Sequence, residues 1–412
     1  MRRLMKALLL AMLVLSLLSV CKAAPQPVTI RILQYGPENT EKFLDMGRQY
    51  HKEFPHVTLE FEILQADYNT VLKTRLNSGD VPDVFMTGAY NDNITYYDYL
   101  ADLTHEPFVK NVYQSALQSV TYKGKVLGFP LSSQSYGFIY DRDTLAKAGI
   151  SDLPRTLSEL RDMCAKLKAK GITTFSNGYQ EWWVFKHVFS HCMAAEDGDY
   201  VKTAEDLTRG IKTFADLKAA MKVFDVIDLT VEYGQPKPLE TDFNAQVAQF
   251  ALGKTAMCHQ GTWAENMILS MNPDAKLGFM AQPVNEDPSK ARLMVGTGGS
   301  YRICKGSKNL AEAKKWLEWL SASEYGKSFA PEKLKEVGTV KGAPPTDAQL
   351  ARETSAFLAE GQTYPWIQDY WPDGFDQQLG TILQAYVAGV KTRQQCTDEL
   401  TRTWVRLANA QQ

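Results

Sequence analysis

Val28-Thr-Ile-Arg-Ile-Leu33 and Pro82-Asp-Val-Phe-Met86 bracket the stretch that decides the fold. Between them, Val57, Leu59, Phe61 and Ile63 alternate with Thr58, Glu60 and Glu62, the pattern of a strand with one buried face. Ahead of that strand, Asn39 or Thr40 can cap a helix whose Phe43, Met46, Tyr50 and Phe54 share a face, and Pro55 stops it. A second helix, Tyr68 to Asn77, closes at Gly79. The order is β-α-β-α-β, the signature of a parallel sheet covered by helices.

Working outward, 412 residues exceed one ordinary core and call for two domains or one two-lobed body. A net charge of −2 with no long basic run argues against nucleic acid as a partner. Arg2, Arg3 and Lys6 precede an apolar run, Ala7 to Val20, too short for a comfortable membrane span. Residues 1–24 read as a bacterial-type export signal with two possible exits. Leu18-Ser19-Val20-Cys21 resembles a lipobox, which would make Cys21 a lipidated N-terminus; Cys21-Lys22-Ala23 suits ordinary signal peptidase. The exported protein is then expected as a membrane-tethered lipoprotein on the cell surface or in the periplasm, or as a soluble periplasmic or secreted form. Cys164, Cys192, Cys258, Cys304 and Cys396 lack the spacing of a disulfide framework or a metal finger, and no metal or cofactor is expected.

A second α/β region begins beyond the hairpin at Val120 to Phe129, with a strand at Tyr136 to Tyr140. Helices are expected at Asp143 to Ala148 and Thr156 to Lys170, and from the turn Asn177–Trp183 to about Cys192. Residues 195–210 read as an exposed charged insertion. Phe243, Val247 and Phe250 recur at helical spacing, Gly253 caps that helix, and Thr255 to His259 form a short buried strand. Gly261-Thr-Trp263 then leaves a large ring at the strand's C-terminal end, where open α/β sheets hold ligands. Leu293 to Ile303 is extended and interrupted by Gly296, Gly298 and Gly299. Asn309 to Ser321 is a helix that buries Trp316 and Trp319, and two further helices close the chain.

Several landmarks recur in order: Gly-Lys-x-x-Gly-x-Pro at Gly124 to Pro130, Tyr140-Asp-Arg-Asp, Pro154-x-Thr-Leu-x-Glu-Leu160, Phe250-x-x-Gly-Lys-x-Ala-Met257 with Gly261-x-Trp263, and Gly298-Gly299 before an Ala-rich helix. With the export signal, the set resembles extracellular solute-binding protein family 1, the sugar-binding components of ABC importers, similar to maltose- and oligosaccharide-binding proteins. The resemblance implies a periplasmic-binding-protein fold of two α/β lobes, each a mainly parallel sheet covered by helices, that close on a ligand by hinge motion. Lobe one would be 25–132 plus 296–325, lobe two 136–295 plus 326–412, with hinges near 132–136, 295–299 and 322–328. A monomer is expected, with the transmembrane subunits of an ABC permease as partner and a carbohydrate as ligand.

The family's strand-end contacts map onto Tyr90, Asn91, Gln134, Trp263, Gly298 and Gly299. Gln134 is an amide where the family often has a carboxylate. Tyr35, Glu38 and Trp182 join by position, Glu181 by its place in the same turn, and Trp366 and Trp371 by lying in a Pro/Gly-rich loop. The chemistry suits a pyranose: rings pack on its C–H faces, while amides and carboxylates satisfy its hydroxyl rim. His187 and His191, spaced i and i+4, read as a structural pair because position 188 is Val and no zinc-protease pattern exists. Two rivals stay open: the same fold holding a polyamine, peptide or metal chelate, and a glycan-active enzyme using Glu181 with a second carboxylate.

Overall fold

The computed structural model describes residues 26–65 and 67–410. The expected export signal and Cys21 lie outside these residues. Fourteen strands follow along them: β1 (Val28–Tyr35), β2 (Val57–Leu64), β3 (Val84–Thr87), β4 (Thr121–Tyr122), β5 (Lys125–Val126), β6 (Phe129–Pro130) and β7 (Ser132–Asp141). Then come β8 (Thr173–Ser176), β9 (Thr255–Gly261), β10 (Leu277–Met280), β11 (Leu293–Thr297), β12 (Ser300–Ile303), β13 (Val337–Gly338) and β14 (Thr363–Pro365).

The first sheet has the order β2-β1-β3-β12-β6. Its first three strands are parallel, with Ile30 opposite Leu59 and Ile32 opposite Val84, as the β-α-β-α-β reading requires. Ile30 and Ile32 pack against Phe43, Met46 and Tyr50 of the Thr40–Glu53 helix, and against Trp316 and Trp319 of the Leu310–Ala322 helix. Both of those tryptophans are packing residues, as expected.

The second sheet runs β14-β11-β7-β9-β8, and β10 and β13 also pair with β7. Here the expectation of a mainly parallel sheet is corrected. β7 is antiparallel to β9, β10, β11 and β13; only β8–β9 and β11–β14 are parallel. The reason is topological. β7 carries the chain from the first sheet into the second and β11 carries it back, so two neighbouring crossover strands must run in opposite directions.

Residues 195–210 also differ from expectation. Asp199 caps a helix, Tyr200–Thr208, whose Thr203 and Leu207 are buried, so the segment is part of the lobe and not a solvated insertion. Phe329, Leu334 and Val340 pack in the first core, whereas Leu350 packs with Ile139 and Phe279 in the second. The chain's third passage, expected near 322–328, therefore falls between Val340 and Leu350. Among the described residues the five cysteines are buried and free, and no helix is long and apolar enough to cross a membrane.

Candidate functional site

A cavity of about 310 Å³ opens where the two sheets face each other across the crossovers. The first sheet contributes Tyr35, Glu38, Asn91 and Asp92; the crossovers contribute Gln134, Thr297 and Gly298. The second sheet contributes Trp182, Trp183, Lys186, His187, Trp263, Trp366, Asp369 and Trp371. Nine expected positions thus share one wall: Tyr35, Glu38, Asn91, Gln134, Trp182, Trp263, Gly298, Trp366 and Trp371. Tyr90, Glu181 and Gly299 do not line it. Tyr90 turns its ring onto Tyr370, Glu181 accepts a 3.0 Å hydrogen bond from Trp183 Nε1, and Gly299 packs against the Met86 side chain.

Local structure explains how each ring is delivered. Asp242 caps the Phe243–Ala251 helix through Ala245 N–H, Gly253 ends it at φ 70°, and all seven residues of β9 are buried. Trp263 follows in a 3₁₀ turn and lies flat over Gly261, where a Cβ would meet the ring at 2.1 Å. Its indole N–H donates to Gln260 Oε1 at 2.9 Å, and Gln260 donates to Gln246 Oε1 at 2.7 Å. The ring is therefore oriented from behind and its face is left for the cavity. Trp366 is seated over Gly296, whose Cβ position lies 2.5 Å from the indole, so only glycine admits the ring there. Trp182 opens the Trp182–Glu196 helix, and Lys186, one turn on, stands 5.6 Å above its ring.

His187 departs from the paired reading. His191 is tied to the Arg292 carbonyl at 2.8 Å, whereas His187 stacks on Tyr136 at 4.2 Å and lines the cavity beside Trp263. Burial lowers the pKa of both, keeping the rings neutral. Among the described residues no group of three or more His, Cys, Asp or Glu side chains could hold a metal ion.

Carboxyls on the two lobes approach each other. Asp92 accepts from Gly88 N–H at 2.7 Å, and Asp369 Oδ1 comes within 3.9 Å of the point where a Cβ on Gly88 would be, beside Asp92. Burial raises Asp92 to about 6, with the buried Arg302 guanidinium pulling it back down. Burial raises Asp369 to about 8; the Asp92 charge adds to this and Lys186 opposes it. Arg302 is anchored by Thr87 Oγ1 at 2.9 Å and the Gly88 carbonyl at 2.8 Å. Three further contacts bridge the lobes: Asn91 Nδ2 donates to the Trp371 carbonyl at 2.9 Å, Lys73 Nζ meets Asp373 at 2.6 Å, and Tyr90 stacks on Tyr370.

Sequence reasoning passed over Asp92, Lys186, His187 and Asp369. Two signals were available: Lys186 is one helical turn from Trp182, and Asp369 lies in the loop already singled out for Trp366 and Trp371. Asp92 followed Asn91 directly, but nothing in the sequence marked it.

The chain matches the bacterial extracellular solute-binding proteins over residues 36–327, and it belongs to that family. It is an exported protein of that class. A putative binding protein of Brucella abortus is 26% identical over 327 residues, spanning 76% of this chain and 77% of the relative. The melibiose/raffinose/stachyose-binding protein MelE of Bacillus subtilis is 22% identical over 413 residues, spanning 94% of this chain and 92% of MelE. In three dimensions, the solute-binding protein RafE in complex with raffinose aligns with a TM-score of 0.81 at 20% identity, covering 92% of this chain and 100% of RafE. The fold is thus the two-lobed mixed α/β fold of solute-binding proteins.

Proposed function

We propose that the chain is the extracytoplasmic substrate-binding component of an ABC importer. It captures a carbohydrate, an oligosaccharide, between its lobes by hinge closure and hands it to a membrane permease. One observation carries this reading: a single cavity combines tryptophan faces from one lobe with amides and carboxyls from both. That pairing matches a sugar's apolar faces and its hydroxyl rim. The names of the similar proteins, which include raffinose and stachyose binders, support the same class. Binding drives closure because the ligand meets both walls only in the closed form.

The protein acts without catalysis. Glu181, on which a glycan-hydrolysing reading depended, is held by Trp183 Nε1 away from the cavity. The lobes divide into 26–132 with 296–340 and 136–295 with 350–410, a division supported by Val340 packing in the first core and Leu350 in the second, and Cys21 is the lipid attachment point. Loss of the lipidated form in Cys21→Ala, read by metabolic labelling with a palmitate analogue, checks that assignment.

One observation favours a second ligand class. The cavity wall holds Glu38, Asp92, Asp369, Asp373 and Asp376 against Lys186 alone, which would suit a polyamine. A thermal-shift screen decides between them. A ligand at ~100 times its dissociation constant adds roughly 2.7 kcal/mol. A shift with raffinose, stachyose or a maltodextrin supports the carbohydrate reading, and a shift with spermidine alone overturns it.

A further inference from the structure

Glu336 is not part of the cavity wall, yet it is bonded to a residue that is. It is 1% exposed and sits between Lys335, at φ 63°, and the two residues of β13 that pair with the start of β7. Both carboxylate oxygens are used by that strand: Ser132 Oγ donates to Oε2, and Gln134 Nε2 donates to Oε1 at 2.6 Å. A side-chain amide has two different ends. With Nε2 committed to Glu336, Gln134 Oε1 lies beside Gly298 at the cavity wall, 2.4 Å from where a Cβ on that glycine would be.

We infer that Glu336 is a positioning residue for the binding site: it fixes which end of the Gln134 amide faces the ligand. Held this way, Gln134 presents an acceptor and reads a ligand hydroxyl as donor. Without a carboxylate at 336, the amide is free to turn and present its NH₂, which reads acceptors instead. The orientation stands independently of ligand identity, but its effect on affinity rests on the carbohydrate reading.

Burial raises Glu336 to about 7, so the hold on Gln134 weakens as pH falls through neutrality. The bonds from Ser132 and Gln134 oppose that rise. The charged and titratable groups facing Glu336 are Glu38 and Lys42 from the first lobe and Tyr35 at the end of β1; the adjacent Lys335 turns its amine to Asp347.

Two measurements on the full exported chain test this. In the ligand-free protein, the side-chain amide resonances of Gln134, assigned by their loss in Gln134→Ala, are expected to titrate with a midpoint near neutral. In Glu336→Gln they are expected to stay flat. Resonances that ignore pH, or that titrate equally in Glu336→Gln, overturn the inference. The second measurement is a double-mutant cycle with raffinose as probe. Glu336→Gln should weaken binding about tenfold, the worth of one buried hydrogen bond, and should cost nothing further in a Gln134→Ala background. An equal loss in both backgrounds shows Glu336 acting through the fold at large and sinks the proposal. If wild-type protein ignores raffinose, stachyose and maltodextrin while the amide titrates as expected, the carbohydrate reading fails and the orientation stands.

Discussion

Tyr90 and Tyr370 stack between the lobes beside the cavity, with ring centroids 4.6 Å apart and planes 24° from parallel. Tyr90 follows β3 on the first sheet, and Tyr370 lies in the loop after β14 on the second. Tyr90 adopts φ 42°, a conformation that bulky residues avoid, and the stack is the contact its ring makes in return. With Lys73–Asp373 and the Asn91–Trp371 bond, it forms a clasp between the two lobes.

Tyr90→Ala removes the stack while Tyr200 continues to hold Tyr370 from within the second lobe. An aromatic pair contributes about 0.5–1.5 kcal/mol, so ligand release should quicken roughly 3- to 10-fold. Stopped-flow measurement of release is the check. An unchanged release rate with a lowered melting temperature would make the pair purely structural.

Closure should also depend on pH. Asp92 and Asp369 titrate at about 6 and about 8 in this arrangement, above the ordinary carboxylate range. Groups raised in the closed form hold protons that the open form releases. Closure without ligand is therefore most favourable below about pH 4 and is lost progressively as pH rises towards 8. Small-angle scattering of the ligand-free protein should show a radius of gyration that grows from pH 5 to pH 8. Asp369→Asn should flatten most of that change. A radius that shrinks with rising pH contradicts the sign.

Trp263→Ala should abolish measurable sugar binding yet leave a cooperative melt, because the ring is only partly buried and packs at the margin of two cores, with its face on the cavity. Trp316→Ala should do the reverse. That ring is fully buried in the first core, and its removal costs about 3–5 kcal/mol without touching the cavity. Calorimetric titration beside thermal denaturation separates the two. Equal stability losses would return Trp263 to the core.

Gly261→Ala places a Cβ 2.1 Å from the Trp263 ring and 2.5 Å from the Ser135 carbonyl oxygen. The backbone contact cannot yield as a side chain would, so a loss of about 1–3 kcal/mol is expected together with a displaced indole. Tryptophan fluorescence and a urea melt report the two effects. A variant as stable as the parent, with unchanged emission, would show that the strand end shifts freely.

The sequence made the first sheet legible because β1, β2 and β3 are local: alternation, a cap and a stopping proline each occur within a few residues of their effect. Trp263 was legible for the same reason, since its helix, cap, strand and turn are contiguous from Phe243. The antiparallel second sheet was not, because the partners of β7 lie between residues 255 and 338 and no local pattern encodes strand direction. Glu181 and Tyr90 were placed at the site by their position in turns, yet a neighbouring tryptophan and a distant tyrosine claimed their side chains. Glu336 gave no signal, since what matters about it is a partner more than 200 residues away in sequence, and Asp369 was marked only by its loop, because its partner Asp92 is as distant.

The crossovers have a consequence for how the molecule is made. The first sheet is unfinished until β12 and the Leu310–Ala322 helix are synthesised, and the second waits for β11 and β14 to flank β7. Pairings this distant in sequence form slowly, because loop closure precedes any reward. No single cut in the chain yields an independent half. Each lobe is completed by a segment that leaves from the other, so the two mature together, late in synthesis or after export.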